Sequence, residues 1–201
     1  MGDAQPIIER VNRWQRLFES LPFLSDNMTA KGAAVCRQRS FVEDNMRIYG
    51  VKDSYIKYLS QYQEHLFLHE GGASGRKYIG VVFEINKFSY FAPLSSFKTK
   101  HKKMKEGVDF IKIKDYAVIN INNMIPVPKG QLVELNINAE KDPHYKFLLQ
   151  AENREINKQK CRIRKNAEIV YNHKRRNGNL TQLAKRTNDF EMLEKLSRDF
   201  W

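Results

Sequence analysis

KYIGVVFEINKFSYFAPL, residues 77–94, decides the fold of this chain. Aromatic and β-branched residues flank Asn86-Lys87, a pattern that reads as two strands folded back on each other through a tight turn. Tyr90, Phe91, Ala92 and Leu94 are core candidates, and Pro93, which lacks an N–H, is expected to stop the ladder. Ser95 and Ser96 follow with two hydroxyls. From Lys98 the chain then turns strongly basic, with Lys98, Lys100, Lys102, Lys103 and Lys105 interrupted by His101.

Outward from this hairpin, further strands are expected around Ile48–Val51 and in DFIKIK (109–114), YAVININNMIPV (116–127) and QLVELNI (131–137). Asp53 or Ser54 can cap a helix carrying Tyr55, Ile56, Tyr58 and Leu59. HEGGASGRK (69–77) is a flexible loop by its glycines. After Pro143 the apolar period changes. Tyr145, Leu149, Ile156, Ile163, Ala167 and Val170 lie on one helical face up to Asn177-Gly178-Asn179, and a last helical region carries Leu180, Leu183, Phe190, Leu193 and Leu196. Strands followed by helices predict an α+β domain with a mainly antiparallel sheet core flanked by helices.

The 201 residues hold 35 Lys+Arg against 23 Asp+Glu, a net charge of +12. The excess is uneven. Residues 1–45 are neutral, so the 29 basic and 17 acidic side chains of residues 46–201 carry all of it. Such a balance favours a polyanionic partner. Residues 1–45 read as a possible helix (6–21) and a linker (25–40), and a domain can start at Met46 as naturally as at Met1. No stretch reaches the roughly 20 apolar residues that span a bilayer, and no secretory signal precedes the domain. Cytoplasmic residence is expected, with Cys36 and Cys161 as free thiols. The histidines carry no HExxH signature and the cysteines no ligand spacing, so neither a metal centre nor a cofactor is expected.

Three features carry possible chemistry. A lysine run is usually a solvated face, but Lys98–Lys105 follows a strand end, where a sheet can aim Ser95, Ser96 and Lys98 at one phosphate. His101 can be read as a proton carrier, a phosphate contact or an exposed residue. Lys77 enters the long strand from the glycine loop and is either a site lysine or an edge lysine. KQKCRIRKNAEIVYNHKRR (158–176) places Lys158, Lys160, Arg162, Arg164 and Lys165 on a basic helix suited to phosphate backbones. A calmodulin-like or membrane-surface helix would look similar; the second basic cluster at 98–105 favours nucleic acid. Walker A, GxGxxG and GxSxG motifs are missing. Acidic residues are sparse near the basic stretches, so a two-metal nuclease centre would lack ligands. RNA needs none, because its own 2′-hydroxyl can attack the adjacent phosphate when aligned and when charge on the phosphorane is stabilised.

MRIYGVKDSYIKYL (46–59), KYIGVVFEINKFSYFAPLSSFKTKH (77–101), VININNMIPVP (118–128) and LEKLSRDF (193–200), in this order, resemble the ToxN/AbiQ family. These are endoribonuclease toxins of type III toxin–antitoxin and phage abortive-infection systems. The resemblance covers about residues 46–200. It implies a fold similar to the Kid/MazF toxins and metal-independent RNA cleavage leaving 2′,3′-cyclic phosphate and 5′-hydroxyl ends. It also implies a cellular or phage RNA substrate, inhibition by a pseudoknotted, repeated antitoxin RNA that the toxin itself processes, and closure with that RNA into a hetero-oligomeric ring.

The family's site lysine then matches Lys77, its hydroxyl pair Ser95 and Ser96, its second lysine Lys98 and its downstream histidine His101. Lys100, His101, Lys102, Lys103, Lys105 and the residues of the 158–165 helix face are the expected RNA contacts. The family's tyrosine in the loop before the first lysine has no counterpart in GGASG. By the same resemblance the family's chains begin near Met46, which leaves 1–45 as an N-terminal extension or a mis-assigned upstream reading frame.

Overall fold

The computed structural model describes residues 45–63, 66 and 75–200. The expected helix at 6–21 and linker at 25–40 lie outside them, as does most of the 69–77 glycine loop. Seven strands form one sheet: β1 (Arg47–Val51), β2 (Lys77–Ile85), β3 (Phe88–Ser96), β4 (Phe110–Ile113), β5 (Ala117–Asn120), β6 (Ile125–Pro126) and β7 (Leu132–Glu134). Their order is β4-β5-β3-β2-β1-β7, with β6 pairing β3, and every pairing is antiparallel.

The hairpin at the centre follows its sequence signal. Asn86 and Lys87 both take positive φ, 48° and 71°, the backbone a two-residue turn needs to match the twist of its strands. Pro93 does not end the ladder, contrary to expectation. It lies between Tyr90-Phe91, which pair with β6, and Leu94–Ser96, which pair with β5. A residue without an N–H is tolerated at such a gap between neighbours. The register shifts between Ile79 and Phe83. There the Gly80 backbone approaches Phe91 so closely that an added Cβ would lie 2.1 Å from the ring.

Pleating divides the sheet's residues between two cores. Ile79, Tyr90, Ala92, Leu94, Ile111 and Ile119 pack with Leu149, Ile156, Ile163, Ala167 and Val170. The last five come from α3 (Pro143–Lys158) and α4 (Lys160–Asn177), two helices meeting at Gln159. Asp142 caps α3 by accepting from the His144 and Tyr145 N–H groups, and Pro143 suits a first-turn position, where no donor is needed.

Tyr78 and Phe91 point the other way, onto α1 (Asp53–Ser60) and α6 (Phe190–Asp199). The lysine run forms a short helix, α2 (Thr99–Lys103). The last helical region is two pieces, α5 (Gln182–Lys185) and α6, and Leu180 lies outside both, 86 % exposed. Its side chain had matched the helical period, but Asn177-Gly178-Asn179 redirects the chain before it.

Cys161 lies in α4. The other cysteine, Cys36, lies outside the described residues. No described helix is long and apolar enough to cross a membrane.

Candidate nucleic-acid interface

Lys77 opens β2 directly opposite Leu94. Cross-strand partners share a face, so Lys77 projects toward α3 with Ile79 and Leu94. There its ammonium donates to the phenolic oxygen of Tyr145, one turn into α3. Glu152, two turns further along the same stripe, is buried at 5 % exposure with Oε2 unpartnered. Burial raises its pKa, and the positive charge of Lys77 partly offsets the rise. Sequence reading assigned Tyr145 only to the core face and passed over Glu152. Its one signal was an acid set in the apolar stripe between Leu149 and Ile156.

The two serines do not act from one face. Ser96 follows Leu94 by two residues and therefore shares the Lys77 face, where it is exposed. Ser95 pairs with Val118, which pairs with Lys112, and this row lies on the opposite face. The 97–103 turn folds over that row, with the Lys112 ammonium donating to the Lys102 carbonyl at 3.3 Å.

Lys98 is exposed at the N-terminal end of α2. His101, by contrast, is buried at 6 % exposure, between the Phe97 and Phe110 rings at centroid distances of 5.6 and 5.8 Å. Its Nδ1 accepts the Lys98 main-chain N–H at 3.0 Å. Of its three sequence readings, exposure is therefore not what the fold provides. Burial lowers its pKa first, followed by Lys100, Lys98 and Lys112.

Lys100, Lys102, Lys103 and Lys105 are all exposed. The second basic cluster is brought beside them, with Arg162 of α4 pairing with Glu106 at 3.3 Å. Lys158 pairs with Glu155 at 2.8 Å, and Glu155 also receives Lys114 at 3.2 Å. Lys165 is exposed, while Lys160 and Arg164 are half-buried. The charge of this cluster is thus partly neutralised by Glu155 and Glu106, whereas the lysines of the 98–105 run have no acidic partner among the described residues. Among the described residues, no group of three or more His, Cys, Asp or Glu is placed to hold a metal ion.

A basic α+β domain with lysines and a hydroxyl at the end of an antiparallel sheet defines a class of protein suited to handling a polyanion at that sheet end. Comparison with known proteins narrows the class. Residues 47–198 match the family model of the toxin ToxN of type III toxin–antitoxin systems, and the chain belongs to that family.

It is 31 % identical over 134 residues to the endoribonuclease ToxN of Bacillus thuringiensis subsp. kurstaki, covering 64 % of this chain and 69 % of that one. To the endoribonuclease AbiQ of Lactococcus lactis subsp. lactis it is 35 % identical over 113 residues, 49 % of this chain but only 60 % of the length of AbiQ. The solved structure of AbiQ, a lactococcal anti-phage endoribonuclease of the type III toxin–antitoxin system, superposes with a TM-score of 0.67 at 25 % identity, over 77 % of this chain and 97 % of that one. A toxin structure described with selective inhibition by a non-coding RNA pseudoknot gives 0.65, also at 25 % identity, over 78 % and 98 %.

Proposed function

We propose that this chain is an endoribonuclease toxin of a type III toxin–antitoxin system, with residues 46–201 as its nuclease domain and the cytoplasm as its place of action. It cuts RNA by attack of the 2′-hydroxyl on the adjacent phosphate, leaving 2′,3′-cyclic phosphate and 5′-hydroxyl ends without a metal. A pseudoknotted antitoxin RNA holds it inactive and is itself processed by it, in a closed toxin–RNA assembly. Release of the toxin on infection gives abortive defence against phage. The relatives' names and the inhibition described for the pseudoknot-bound neighbour support the toxin reading.

The observation that carries the chemistry is the pairing of Lys77 with Tyr145 at the sheet end where Ser96 is exposed. RNA lies along the exposed lysines of the 98–105 run and the start of α4. The scissile phosphate rests between Ser96 and Lys98, whose charge and hydroxyl stabilise the phosphorane. Lys77, positioned by the tyrosine oxygen, adds positive charge at this end of the sheet. Ser95 lies on the other face, in the row with Val118 and Lys112.

The test is the full chain, wild type and Lys98→Ala, incubated with a long RNA in EDTA, with the product ends mapped. Cuts ending in cyclic phosphate, lost in the variant, are expected. A non-catalytic RNA-binding module is the second reading, favoured by the extended exposed lysine run. It predicts intact RNA under tight, salt-sensitive binding, and no difference between wild type and Lys77→Ala beyond affinity.

A further inference from the structure

His101 is tied to Lys98 twice. Its ring Nδ1 accepts the Lys98 N–H at 3.0 Å, and its own main-chain N–H donates to the Lys98 carbonyl at 2.8 Å. An Nδ1 that accepts is unprotonated, so the bond requires the neutral ring with its hydrogen on Nε2. The surroundings favour that form. Phe97 and Phe110 contact the ring from the turn and from β4. The charged groups acting on it are all cations, Lys98 and Lys100 from its own turn and Lys112 from β4. Glu106, a carboxylate bonded to the Lys112 main-chain N–H, is committed to that donor and to Arg162.

We propose that His101 is a positioning residue that sets the Lys98 side chain for cleavage through its neutral ring, so that the nuclease carries a built-in acid cut-off at this turn. The inference rests on the endoribonuclease reading above. Protonation would turn the acceptor into a donor facing the Lys98 N–H, and add a fourth positive charge to the cluster. The Lys98 backbone would then leave its extended conformation at the N-terminal end of α2. A misplacement of about 1 Å at a group that stabilises a transition state costs on the order of a hundredfold in rate.

Two variants separate positioning from bulk structure. Asparagine places an oxygen near the position of Nδ1 and does not titrate; alanine supplies no acceptor. Cleavage of a long RNA in EDTA is followed from acid to mildly alkaline pH, with RNA affinity measured alongside. Wild type should lose rate as pH falls below the ordinary histidine range. His101→Asn should lack that limb while cleaving within about tenfold of wild type at alkaline pH, and His101→Ala should fall about a hundredfold at every pH with affinity retained.

A limb that persists in His101→Asn, or a wild-type rate in His101→Ala, overturns the proposal. Should either variant fail to fold, the amide resonance of Lys98 in the wild-type protein decides. It must shift with the same midpoint as the His101 ring, and a Lys98 amide indifferent to that titration overturns the proposal equally. RNA left intact at all pH values by a protein whose Lys98 amide follows the ring would remove the nuclease reading alone, leaving the clamp as a property of RNA binding.

Discussion

Lys77 and Tyr145 stand 68 residues apart in the chain and are joined by a hydrogen bond from the ammonium to the phenolic oxygen. The bond connects the first residue of a central strand to the first turn of the helix packed on it. It fixes a long, flexible side chain at the end of the sheet, where a lysine otherwise samples many rotamers.

Tyr145→Phe tests this anchoring with the ring retained. Cleavage is expected to fall by about tenfold to a hundredfold while RNA affinity stays within about twofold, because the charge remains and only its placement is lost. Single-turnover rates set beside filter binding would show this. Equal losses in both would mean that the phenol contacts RNA rather than Lys77.

Glu152 predicts a pH dependence of stability. Burial raises its pKa above the ordinary 4.5, so the native state holds this proton more tightly than the unfolded chain. Stability from this group is therefore full below pH 4.5 and declines as pH rises through the raised value. Glu152→Gln should flatten that decline and be more stable than wild type at neutral pH. Urea unfolding of both proteins at acid and neutral pH would check the sign.

Gly80 is expected to tolerate no side chain. With a Cβ placed 2.1 Å from Phe91 Cδ1, Gly80→Ala must displace the ring or the bulged strand, at a cost of about 1–3 kcal/mol or more. Thermal unfolding should show the loss. Gly80→Ala combined with Phe91→Leu should recover part of it if the clash is the cause.

The two basic clusters should differ in their salt dependence. Lys102 and Lys103 are exposed, whereas Arg162 is paired with Glu106. Lys102→Ala and Lys103→Ala should each reduce the slope of log affinity against log salt by about 0.7, the value for one single-strand phosphate contact. Arg162→Ala should change it less. Titrations of a single-stranded RNA at several salt concentrations would rank the three.

What the sequence determined is what short-range chemistry controls. The hairpin at 77–94 follows from its residue types and from a turn at Asn86-Lys87 that only a positive φ can make. The stripe Leu149, Ile156, Ile163, Ala167 and Val170 is buried as its period predicts, since a helix must hide its apolar face. The basic excess pointed to a polyanionic partner, and the order of the segments at 46–59, 77–101, 118–128 and 193–200 to the family.

Only the tertiary structure decided which side chains meet. Tyr145 reaches Lys77, and Glu152 falls beneath it, because α3 crosses one particular face of the sheet. His101 is buried because β4 brings Phe110 and Lys112 against a turn that reads as solvated. Pro93 stays within a strand because its neighbours leave a gap there. Side-chain period is a property of one segment; a site built from three segments depends on how their faces pack, and no single stretch of sequence carries that information.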